Sequence, residues 1–194
     1  MLLTADEVGR SLAGSLKLMN RDPAGLKAFD VSVEAFWRSF AAILLTAPAF
    51  VVSLARDRAE LGLPPQDGLF ADPWVVALQA GALGLAWVAF PVAMILVARR
   101  LGLGRRYAGF VIAYNWSAVL AALIFAVPDA LLLVGAATPG LAALFALAFG
   151  IIIAHYRWFL ARAALGVTSL AACGIVMLDF GLNYAVASVL EAVL

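Results

Sequence analysis

Asp179, Asn183 and Asn115 are the residues of this sequence whose types and spacing could do chemistry. At ~1.5 Å per helical residue, Asp179 lies roughly 16 Å from a helix start near Thr168, about the middle of a ~30 Å hydrocarbon core. Its side chain cannot reach either surface from there. Asn183 follows at i+4 and Ala187 and Glu191 continue the same face, so the helix turns a polar seam toward its neighbours. Asn115, about eight residues into an earlier apolar span, sits at comparable depth. Two roles follow. A buried carboxylate held by Asn183 and Asn115 can carry a proton or bind a cation, or a neutral Asp179 can hydrogen-bond two helices together as a strut.

Other chemistries find no support. Intramembrane hydrolysis or group transfer needs a pair of groups at one depth, and Asp179 is the one deep acid; there is no Ser-His or Ser-Lys spacing, no GxSxG and no P-loop. No catalytic residue is assigned and the chain is not expected to be an enzyme. His155 has no second histidine or carboxylate motif at ligand spacing, so no metal site and no cofactor are expected. Gly102 and Gly104 lie in the basic turn Arg99 to Arg106, with no preceding strand and no GK[ST], and read as a simple turn. The lone Cys173 lies in an apolar run and reads as packing.

The cations are read as interfacial. Arg38, His155, Arg157 and Arg162 fall near the ends of their spans, where long side chains snorkel to the surface. Arg99, Arg100, Arg105, Arg106, Arg157 and Arg162 are therefore assigned to phospholipid head groups. Gln79, Asp129 and Glu191 fall near the opposite interface.

The elements that must position these residues follow from composition. Of 194 residues, 65% are hydrophobic and 13% charged, more apolar surface than one small water-soluble core can hide. The apolar runs are long and unbroken, so helices are expected and a barrel is not. The predicted fold is an all-α integral membrane protein: a five-helix transmembrane bundle preceded by an N-terminal amphipathic interfacial helix. Residues 1–32 form that cytoplasmic segment and residues 33–194 the membrane domain, with spans at about 35–54, 74–98, 107–127, 139–161 and 170–190.

Within the first segment, Thr4-Ala5-Asp6-Glu7 reads as a capping box, and Val8, Leu12, Leu16 and Met19 recur at helical spacing opposite Arg10, Lys17 and Asn20. This apolar stripe meets lipid, or else a partner or the cytoplasmic helix ends. Acidic Asp6 and Glu7 stand where a secretory leader would be basic, so the first span is expected to be retained. Pro48 predicts a kink in that span. The loop Leu61 to Pro73, with Pro64-Pro65 and Asp67-Gly68, is too polar and broken to span. Ala77, Gly81 and Ala80, Gly84 form small-xxx-small pairs in the second span, and Ala142, Ala146 and Gly150 a small face in the fourth. After Pro128-Asp129 the third span either continues kinked or folds back at the surface.

Every Lys and Arg except Arg56 and Arg58 falls on one side of this topology. That side, holding the N-terminus and the turns at 99–106 and 157–167, is expected to be cytoplasmic, with the C-terminus periplasmic. The alanine, arginine and leucine bias points to a bacterial inner membrane.

The layout resembles the Yip family of Rab-interacting membrane proteins, bacterial type. The resemblance rests on the turn Arg99 to Arg106, on Ala113-Tyr114-Asn115-Trp116, and on Tyr156-Arg157-Trp158 with Leu160 to Ser169, covering about half the chain. It implies the five-span fold; the acidic-Tyr-Gly-Pro segment of eukaryotic members is missing, so their GTPase partnerships carry over to no residue here. The expected function is that of a non-enzymatic membrane-organising or accessory subunit, contacting phospholipid and another membrane protein or a second copy of itself, with no nucleic-acid partner. The alternative is a small proton- or cation-linked permease built on Asp179, Asn183 and Asn115. A cavity reaching Asp179 would favour the permease, and dense apolar packing around it the accessory subunit.

Overall fold

The computed structural model describes residues 3–60, 62 and 67–193, so the predicted Pro64-Pro65 turn lies outside the described residues. Among the described residues there is no strand; the chain is an all-α membrane bundle. Helix α1 (Ala5–Met19) is followed by a 3-10 turn (Pro23–Ala28), α2 (Val33–Phe40), a second 3-10 stretch (Ala41–Thr46) and α3 (Ala47–Glu60). Four long helices complete it: α4 (Pro73–Arg100), α5 (Gly104–Leu133), α6 (Pro139–Leu165) and α7 (Ser169–Val193). Taking α2 to α3 as one helix with a 3-10 stretch inside it, five helices are long and apolar enough to cross a membrane.

Side-chain caps mark the starts of α1, α2, α4 and α6. Thr4 Oγ1 accepts from Glu7 N, Ser32 Oγ from Ala35 N, and Thr138 Oγ1 from Leu141 N. Asp72 Oδ1 accepts from Trp74 N and Val75 N, with Pro73 in the first helical position, where its missing N–H costs nothing. The 3-10 stretch in the first span has a local cause. Ala47 N bonds Leu44 O in a 3-10 turn just ahead of Pro48, and Thr46 Oγ1 donates to Ile43 O at 2.6 Å, supplying a partner for that carbonyl. Pro128 does not end the third span, because α5 runs through it to Leu133.

Helix α5 is the centre of the bundle: its apolar window is 56% buried, against 17–22% in the other four spans. The others turn Leu85, Val88, Leu96, Leu144, Leu147 and Met177 outward, an apolar surface that calls for lipid. The basic end is tied together. Arg106 Nη1 donates to Leu165 O at the end of α6, Tyr156 Oη to Ser15 O of α1, and Arg38 Nε to both Glu7 carboxylate oxygens at 2.9 and 3.0 Å.

Helix α1 docks on α5 and α6 through a face that its apolar stripe does not mark. Glu7, Ser11, Gly14, Ser15 and Leu18 are buried, whereas Leu16 is 49% exposed and Val8, Leu12 and Met19 are half-buried. Close approach to the following 3-10 turn requires the glycines: a Cβ on Gly14 would stand 2.6 Å from Ala28 Cβ and 2.8 Å from Gly25 O.

Candidate functional site

Asp179 of α7, Tyr114 of α5 and Arg157 of α6 meet inside the bundle. Each lies at similar depth: Tyr114 and Asp179 about 15 Å along their helices from the basic end, and Arg157 about 12 Å before α6 finishes there. Tyr114 Oη donates to Asp179 Oδ1 at 2.6 Å, and Asn183 Nδ2 donates to the same oxygen at 3.0 Å and to the Asp179 carbonyl at 2.9 Å. Arg157 Nε stands 3.7 Å from Asp179 Oδ2, and its guanidinium carbon lies 3.9 Å from the Tyr114 ring centroid. Asp179 and Arg157 are 4% and 8% exposed, so protein covers most of the pair. A buried Arg paired with a carboxylate and stacked on an aromatic face is the arrangement that makes such a charge tolerable at this depth.

The structure brings Asn183 to Asp179 and keeps Asn115 away from it. Asn115 is fully buried and donates from Nδ2 to Ser39 Oγ of α2 at 3.0 Å, while Ser39 donates onward to Phe36 O. The reason is helical geometry: neighbouring residues on α5 point about 100° apart, so with Tyr114 turned to α7, Asn115 faces α2. Arg157, expected among head groups, is inside the bundle because α6 runs on to Leu165, past the predicted end near 161. Arg106 caps the end of α6, Arg162 lies 5.0 Å from the Trp158 ring, and Arg99, Arg100 and Arg105 are exposed at the basic end. Sequence reasoning gave Tyr114 no role in the site and placed Arg157 among head groups. The available signal was an unpaired deep acid, which calls for a cation, and Arg157 was the basic residue placed furthest inside its span.

A cavity of 450 Å³ reaches this cluster, walled by α4, α5, α6 and α7 and lined by Trp87, Tyr114, Arg157, Asp179 and Asn183 among small and apolar residues. A second, of 530 Å³, shares Leu83, Ala86, Ala122, Phe125, Asn183 and Ala187 with it and extends to Asp57, Gln79 and Asp129. Together they follow α5 from Tyr114 to Asp129, roughly 22 Å. Alanines make the room: Ala86, Ala122 and Ala187 stand where larger side chains would close it. At the far end Gln79 Nε2 donates to Asp57 Oδ2 at 2.7 Å, and Arg56 pairs with Glu60 and, at 3.7 Å, with Asp129.

Toward the basic end the cleft stops. Phe90 and Tyr114 pack with ring centroids 4.4 Å apart, Phe110 lies 6.1 Å from both, and the void left between them, Ile175 and Asp179 is only 10 Å³. The cleft is therefore blind, its floor an ion pair on an aromatic plug. Among the described residues no group of three metal-binding side chains occurs. No family model, no curated protein and no solved structure matches this chain.

Proposed function

We propose that this multi-span membrane protein binds a small solute in the cleft lined by α3, α4, α5, α6 and α7 and carries it, the Arg157–Asp179 pair forming the floor of the site. One observation carries this reading: a cavity of 450 Å³ opens onto an intramembrane ion pair in place of dense apolar packing. Ionisable residues inside membrane spans are costly and pair with one another, and where they face a cavity they mark solute and ion pathways. The blind end fits one half of an alternating cycle, in which the Phe90–Tyr114 contact yields when the other side opens. The basic end is assigned to the cytoplasm by the positive-inside rule, in a bacterial inner membrane, so the cleft faces the periplasm. The protein is taken to be non-enzymatic.

The test is thiol accessibility in sealed vesicles. In a Cys173→Ser background, Ala126→Cys and Ala187→Cys should react with a charged methanethiosulfonate reagent added from the side of Asp57, and Ile175→Cys below the plug should not. Unreactive thiols at 126 and 187 would mean that water does not enter, and the carrier reading would fall.

A role as accessory subunit, in keeping with the Yip-like layout, is favoured by a different feature. Ala77, Ala80 and Gly81 are exposed on α4, and a Cβ at Gly81 or Gly84 would meet nothing within 4 Å among the described residues. Such a face lets a second helix approach closely. Gly81→Leu should then dissociate a complex that survives gentle detergent.

A further inference from the structure

Two buried donors beside the ion pair lack acceptors, and they define what the cleft would hold. Arg157 on α6 and Trp87 on α4 are 8% and 9% exposed, and both line the 450 Å³ cavity. Among the described residues no acceptor bonds Arg157 Nε, Arg157 Nη1 or Trp87 Nε1, and each of these atoms is covered by protein. A buried N–H left without a partner is costly, and in a cavity the missing acceptor is most simply supplied by the occupant. The charges are already balanced: Asp179 stands against Arg157, and Tyr114 and Asn183 both donate to Asp179 Oδ1. An anionic occupant would add a second negative charge beside Asp179, and a cationic one would meet Arg157. Leu83, Ala118, Ala121, Ile153 and Phe180 make most of the remaining wall apolar, with Tyr184 also lining it.

Resting on the cleft reading above, we propose that the blind end takes an uncharged, largely apolar molecule bearing a carbonyl oxygen, which accepts hydrogen bonds from Arg157 and Trp87. The cavity is within the size range of small-molecule sites, which combine apolar walls with a few fixed polar groups. The apolar body lies along the alanines of α5 and the carbonyl points to the floor. Both donor atoms are covered by protein, so each side chain must turn for its N–H to reach that oxygen.

Benzophenone serves as the probe, since its ketone is both the acceptor and the photoreactive group. The full-length protein in vesicles is irradiated with it, and labelled peptides are mapped by mass spectrometry. Labelling is expected on the lining stretches of α4, α5 and α7. Dicyclohexyl ketone should suppress it about tenfold more effectively than dicyclohexylmethane, which has the same shape without the oxygen, a difference of the size one hydrogen bond gives. Trp87→Phe, which keeps an aromatic ring and loses the N–H, should shrink that preference severalfold, and Arg157→Gln should do likewise if it folds. Equal competition by the hydrocarbon would overturn the acceptor assignment and leave the cleft reading standing. A ketone preference unchanged in Trp87→Phe would overturn the role of this donor pair. Absence of labelling on all the lining helices would remove the cleft reading itself.

Discussion

Arg157 Nε and Asp179 Oδ2 stand 3.7 Å apart on two different helices, buried in the middle of an apolar bundle. Neutralising one member strands the other. Asp179→Asn keeps the side-chain shape and leaves the Arg157 charge uncompensated, so a loss of about 3–5 kcal/mol is expected, the usual cost of breaking a buried pair. Thermal unfolding in mild detergent, followed by circular dichroism, would read it. Adding Arg157→Met to Asp179→Asn should recover most of the loss. A single variant that melts with the parent would show that Asp179 is a neutral strut after all.

Tyr114→Phe isolates the hydroxyl. The ring keeps its contacts with Phe90, 4.4 Å away, and with the Arg157 guanidinium at 3.9 Å, while the 2.6 Å hydrogen bond to Asp179 disappears. The expected cost is about 1.5–3 kcal/mol, typical of a hydrogen bond to a charged group and smaller than that of Asp179→Asn. The same melting experiment ranks the two, and the reverse order would contradict the assignment of Arg157 and Asp179 as the dominant pair.

The sequence made the class of fold legible because composition and span length act everywhere along the chain. It made Asp179 and Asn183 legible because i+4 spacing is local. Arg157 was hidden by a boundary: α6 runs about one turn beyond its predicted end, and that turn separates the membrane surface from the interior. Tyr114 was hidden by rotation, since nothing in Tyr114-Asn115 says which of two adjacent side chains faces α7. The docking face of α1 was hidden because Ser11, Gly14 and Ser15 are small and polar, and what buries them is the close approach of backbones, not hydrophobicity.

Gly14→Ala tests that approach. The added methyl would meet Ala28 Cβ at 2.6 Å and Gly25 O at 2.8 Å, so the 3-10 turn must shift, at a cost of about 1–3 kcal/mol. Trypsin should then cut faster at Lys17, Arg21 and Lys27, with the spanning helices unaffected. Gly9→Ala, where nothing stands within 4 Å of the new methyl, is the control.

Asp30 lies outside the spans and reports on the turn into α2. The Ser32 backbone N–H and then its hydroxyl, bonding the carboxylate at 2.9 and 3.0 Å, hold it below the ordinary value of 3.8, with Arg38 assisting. A depressed folded-state pKa means that this contribution is present above 3.8 and is lost as pH falls through the lower folded value. Hydrogen exchange across residues 30–36 should stay protected at about pH 4 and weaken below it, and in Ser32→Ala the weakening should begin at higher pH. Identical profiles for the two proteins would dissociate Asp30 from the turn.

Phe90→Ala addresses the plug. Phe90 is 1% exposed and packs against Tyr114 and Phe110, and its removal leaves a void beneath Asp179 where the parent has 10 Å³. A stability loss of about 3–5 kcal/mol is expected. The functional consequence is separable from the stability loss: with the floor of the cleft opened, a cysteine at Ile175 should become reactive to a charged thiol reagent added from the Asp57 side, where in the parent it is protected. Circular dichroism at the labelling temperature establishes that the variant is folded when it reacts. If the cysteine stays protected in a folded Phe90→Ala protein, the barrier is not the aromatic contact, and the packing of α7 against α4 becomes the element to perturb instead.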